Sequence, residues 1–254
     1  LLFLFEGGVG TSLLFLWFKY QAITATIPYK LLLECQSNGN LKELAYFIGF
    51  KYSYVNSTLY DTTNQKLTDS PICGKTKARQ LFKFFITEGW AERNHILKGD
   101  IHFKPFTKSR NTFTLTYTNP KDIYRLLCLE LLAIKQRQFN YKSRIAKNLN
   151  NPTSKLDYSK ARKQSKKYQF RDGFVNNGLN LSYLSLARLF NTSITNAQRI
   201  VESLAKDAFL TKSRQNKTTS IPNSLINEVK GVFFKGKDGF LIQRLSNNYT
   251  LTCC

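Results

Sequence analysis

The chain has 254 residues, 42% of them apolar and 14% aromatic, enough to bury a core and to exclude wholesale disorder. Its 38 Lys and Arg against 16 Asp and Glu leave a net charge of +22, which repels itself unless a polyanion shares the surface. Nucleic acid is the first candidate partner, because each phosphate contact releases condensed counterions; an anionic membrane surface is the second. The five cysteines form no C-x-x-C pair, and His95 and His102 are the only histidines. That argues against a structural zinc site and a disulfide framework, and it suits a reducing cytoplasm.

The chain opens on "LLFLFEGGVGTSLLFLWFKY", marginal as a membrane span and without the basic leading region of a signal peptide. Residues 1–27 are therefore expected to be an apolar segment foreign to the native protein or a weak anchor, with membrane association disfavoured. "EGGVGTS" looks like the phosphate loop of plasmid-partitioning ATPases. However, Thr11 stands where the phosphate-binding Lys belongs, and Glu6 would face a triphosphate. A helix is expected at "LKELAYFIG" (Leu41–Gly49). The later Gly74-Lys75-Thr76 lacks the glycine that a P-loop needs five residues earlier, where Asp69 stands. The run after this tripeptide is amphipathic: Ala78, Leu81, Phe82 and Phe85 recur at helical spacing, and Gly89 ends it. Strands are expected around Lys98-Gly99-Asp100, with a basic loop at Lys104–Arg110.

Asn119 and Pro120 suit the start of a long helix through "DIYRLLCLELLAI". Lys135 to Arg171 then holds twelve Lys or Arg and a single acid, Asp157, as a solvated or phosphate-tracking linker would. The leucine-rich part suits packing on a neighbouring domain or a dimer contact, so a homodimer is one expectation. Farther on, "YLSLARLFN" (Tyr183–Asn191), the turn "TSIT" and "NAQRIVESLAKDAFL" (Asn196–Leu210) form a second helix pair. Ser182 caps its first helix and Ser193 or Thr195 its second, and the inner stripe is Ala197, Ile200, Val201 and Leu204. A basic hairpin is expected at Phe209–Ser220. A closing one is expected from Val232–Phe234, through a turn at Gly236–Gly239, to Phe240–Leu245.

The two helix pairs align with each other, Leu44-Ala45 with Leu186-Ala187 and Glu88-Gly89 with Asp207-Ala208, so the chain carries one unit twice. Helix, short polar turn, second helix and basic hairpin together resemble a winged helix-turn-helix domain. The tandem layout resembles plasmid replication initiators and regulators of phages or mobile elements. The first copy departs from the pattern through about 23 extra residues, Phe50–Ile72, as a long insertion in the turn or an extra helix. The resemblance implies an α+β fold, mainly α with small β wings. Two winged-helix domains, 28–118 and 172–254, would be joined by a basic helical linker, 119–171.

The resemblance also implies double-stranded DNA as partner, with the second helix of each unit in the major groove. In the second copy Thr195, Asn196, Gln198, Arg199 and Glu202 face outward. Of these, Arg suits guanine, and Asn or Gln suits adenine. Lys212, Arg214 and Lys217 would touch phosphates from the wing. Their counterparts in the first copy are Lys75, Lys77, Arg79, Gln80 and Lys83. No His-x-His clamp, His-x-x-Arg or paired carboxylates stand out, so neither catalysis nor a cofactor nor a metal is expected. The alternative is an RNA-binding or ribosome-associated basic protein, although the phenylalanines fall mostly in helical stripes and not on a stacking sheet face.

Overall fold

The structure, a computed structural model, describes residues 22–60, 72–93, 100–150, 179–214, 216–227, 233–245 and 247–252. They form a mixed α and β fold with six helices and eleven short strands in four small sheets. Two compact units divide between Leu127 and Cys128. The expected linker 119–171 thus begins in the first unit. Its described part is helical through Asn150, and residues 151–178 lie outside the described residues.

The first unit starts with β1 (Ile23–Pro28), paired antiparallel with β5 (Thr112–Tyr117). The alternation in "TFTLTY" explains β5: Phe113, Leu115 and Tyr117 point inward and the threonines outward. Ala25 and Ile27 of β1, within the segment assigned to 1–27, lie opposite Leu115 and Phe113 and are fully buried. Next come α1 (Tyr29–Asn38), α2 (Leu41–Ser53), β2 (Thr58–Leu59), α3 (Lys75–Thr87), β3 (Ala91–Arg93) and β4 (Ile101–Phe103). The short sheet has the order β2-β4-β3. An aromatic core joins α2, α3 and this sheet: Phe47 and Phe50, Phe82 and Phe85, and Phe103. Their rings meet mainly edge to face, with Phe50 and Phe82 centroids 4.9 Å apart, the geometry that ring quadrupoles favour.

α4 (Ile123–Asn150) crosses the division between the units. Asn119 caps the short turn at its start, its side chain accepting from the Lys121 N–H. The second unit runs β6 (Leu179–Leu181), α5 (Tyr183–Phe190), α6 (Ile194–Lys206), β7 (Leu210–Ser213), β8 (Asn216–Pro222), β9 (Phe233–Lys235), β10 (Phe240–Arg244) and β11 (Asn247–Leu251). β11 lies between β6 and β7, and Tyr249, fully buried, faces Leu179 on one side and Lys212 on the other.

Two expectations about strands and helices are corrected. The hairpin at Phe209–Ser220 does not form, because β7 pairs with β11 while β8 pairs with β10. The sequence between β7 and β11 instead builds a separate sheet, β8-β10-β9, whose β9–β10 hairpin matches the closing turn expected at Gly236–Gly239. The strands expected around Lys98-Gly99-Asp100 are β3 and β4, paired antiparallel, and the expected basic loop Lys104–Arg110 follows them and leads to β5, whose partner is β1. Finally, the extra residues of the first copy contain β2 after a 3-10 turn at Val55–Ser57, so a strand separates α2 from α3; residues 61–71 lie outside the described residues. In the second unit the matching strand, β6, comes before both helices. α2 and α5, aligned by sequence, therefore hold different places in the chain order.

Candidate nucleic-acid interface

The turn between α5 and α6 is built by short polar side chains. Asn191 closes α5 in the left-handed region (φ 49°), tolerable for Asn because its side chain bonds locally. Ser182 accepts from the Ser185 N–H and Ser193 from the Asn196 N–H, satisfying first-turn donors of α5 and α6. The predicted stripe of Ala197, Ile200, Val201 and Leu204 is buried. Burying that stripe fixes which residues face out.

Thr195, Gln198 and Arg199 are exposed, and Asn196 is half-buried. Asn196 spends an amide N–H on Thr192 Oγ1 at 2.7 Å, tying it to the turn. Gln198 donates from Nε2 to Glu202 Oε1 at 2.9 Å, one helical turn on. This uses one of its two N–H groups and leaves the other, with the carbonyl oxygen, for an adenine edge. Arg199 has no hydrogen bond or ion pair among the described residues, so its five donors are available.

The expected wing contacts do not share one hairpin. Lys212, on β7, is half-buried; its Nζ lies 3.8 Å from Glu202 Oε1 and 5.2 Å from the Tyr183 ring centroid, and it donates to the Tyr183 hydroxyl. Arg214 is exposed where β7 ends. Lys217 stands on β8 in the other sheet, with its side chain outside the described residues. The sequence pattern did not single out Tyr183. Its only local signal is an aromatic residue following a capping serine.

In the first unit the predicted stripe of α3 is also buried. Lys77, Arg79, Gln80 and Lys83 are exposed and Lys75 is half-buried, so the cations line the outer face. Lys77 Nζ sits 5.8 Å over the Tyr46 ring. Gly74 precedes α3 without a side-chain cap. The hydrogen bonds closing α3 and α6 are the same, a left-handed cap of the kind that also ends α5. Glu88, Gly89 and Trp90 donate to Phe84, Ile86 and Phe85, as Asp207, Ala208 and Phe209 donate to Ser203, Ala205 and Leu204. Gly89 and Ala208 both take positive φ there, 69° and 60°.

Among the described residues no group of three His, Cys, Asp or Glu side chains is placed to hold a metal, and no helix is long and apolar enough to cross a membrane. Searched against protein families, curated proteins and solved structures, the chain has no match.

Proposed function

We propose that the chain binds double-stranded DNA through two winged-helix domains, without catalysis, as a replication initiator or transcriptional regulator of a plasmid, phage or other mobile element. One observation carries the reading. In the second unit a strand, two helices joined by a capped three-residue turn and a strand follow one another, a central return strand comes after the inserted sheet, and Arg199 and Gln198 are exposed on the second helix. A helix-turn-helix lays that second helix in the major groove. A guanidinium unpaired among the described residues, beside an amide that keeps a donor and an acceptor among them, is the chemistry that reads guanine and adenine edges. The buried stripe of α3 and its basic outer face support a second, similar module in the first unit.

Selection of bound sequences from a random duplex pool, followed by Arg199→Ala, tests this. The variant is expected to relax preference at one base pair and to lose about 1–3 kcal/mol on the selected site. No preference for duplex DNA over RNA, together with no change on Arg199→Ala, would overturn it. Repeated sites beside the coding sequence favour initiation; one site over its own promoter favours regulation.

A further inference from the structure

The sheet inserted between β7 and β11 has two unlike faces. On β10 Leu241 is fully buried, while Phe240 and Ile242 alternate to the opposite side. Phe234 of the edge strand β9 pairs in register with Ile242, so Phe234, Phe240 and Ile242 share that outer face. Phe234 and Phe240 are 39% and 42% exposed, a large fraction for phenylalanines beside a fully buried Leu241. Lys235 and Lys237 are exposed in the same hairpin. From Arg214 to Ser246 the sequence carries six Lys or Arg and two acids.

We propose that this face stacks unpaired bases of single-stranded DNA. Two open aromatic rings on a hairpin that exposes Lys237 in its turn and Lys235 on its edge strand, in a cationic excursion of the chain, are the elements of a single-strand platform: rings take any base, and cations follow the backbone. A second copy is a poor occupant, since it brings the same +22 charge to the contact. The choice of DNA over RNA rests on the duplex-binding proposal; the stacking face does not.

The test uses the full chain and compares it with Phe234→Leu/Phe240→Leu, which keeps apolar bulk and removes the rings. Affinities for a short poly-dT oligonucleotide, its poly-U equivalent, a selected duplex and anionic phosphatidylserine vesicles are measured at one salt concentration, with circular dichroism to verify folding. The folded variant is expected to bind poly-dT about tenfold or more weakly, with duplex affinity within about twofold of the parent. Unchanged poly-dT affinity in the folded variant overturns the proposal. So does a parallel loss on duplex, poly-U binding equal to or tighter than poly-dT, or ring-dependent binding of the vesicles. Arg199→Ala separates the two readings: if it leaves duplex binding unchanged while the leucine variant loses poly-dT, the major-groove reading falls and the stacking face stands.

Discussion

Lys212 on β7 lies 3.8 Å from Glu202 on α6, so an acid on the outer face of that helix holds a cation that the duplex-binding proposal assigns to a phosphate. Glu202→Ala should release that cation. Binding to any duplex should then depend more steeply on salt, by about one unit in the slope of log K against log salt, with higher affinity at low salt. Lys212→Ala in the same background should restore the shallower slope. A salt titration of non-specific duplex binding checks both; an unchanged slope in Glu202→Ala excludes a restraining role for the pair.

Ala208 occupies at φ 60° the place that Gly89 takes at the end of α3. A Cβ in the left-handed region costs about 1–2 kcal/mol, and glycine gives back part of this through its looser unfolded chain. Ala208→Gly should therefore stabilise the protein by up to about 1 kcal/mol, and Gly89→Ala should destabilise it by a similar amount. Urea unfolding of the two variants reads both signs.

Lys51 is buried, with Nζ 3.3 Å from Ser57 Oγ and 3.4 Å from the Phe103 carbonyl, and burial lowers its pKa from the ordinary 10.5. The unfolded chain therefore holds this proton more tightly than the folded one. Stability should rise with pH from the lowered value up to 10.5, and below both values the charged ammonium should cost stability in full. Lys51→Met should flatten that rise. Thermal unfolding between about pH 7 and about 10.5 measures it; an unaltered slope means the ammonium is not desolvated.

Gly236 closes the β9–β10 turn. Its N–H donates to the Phe240 carbonyl at 3.0 Å and to Asn223 Oδ1 at 3.1 Å, and a Cβ there would stand 2.4 Å from the same carbonyl oxygen. Gly236→Ala should open the inserted sheet at a cost of about 1–3 kcal/mol. Amide hydrogen exchange should quicken in β9 and β10 and stay unchanged in α6; equal quickening in both would show that the inserted sheet does not open by itself.

The helices α2 to α6 were legible in the sequence because their signals are local, whereas α1 was not singled out. A stripe such as Ala197, Ile200, Val201 and Leu204 names its buried face through the 3.6-residue period alone, and so names Gln198 and Arg199 as outward. Ser193 and the Gly236–Gly239 turn were readable for the same reason, each acting within a few residues of itself. The strand partners were not legible. β2 is two residues long, and β7 is followed in sequence by β8 yet pairs with β11 beyond an intervening sheet. Antiparallel register depends on which distant strand covers which apolar face, and short polar strands such as "LTKS" carry no alternation to tell them apart.

The same division runs through the candidate site. Charge, helix faces, caps and the doubled helix pattern were determined by sequence alone, since residue type and spacing suffice for them. Only the tertiary structure decided that Lys212 is held by Glu202 and Tyr183, that the first copy places a strand between its helices, and that Phe234 and Phe240 share an open face. Each of these depends on chain segments well apart in sequence meeting at a particular register, and that register is set by the packing of whole elements.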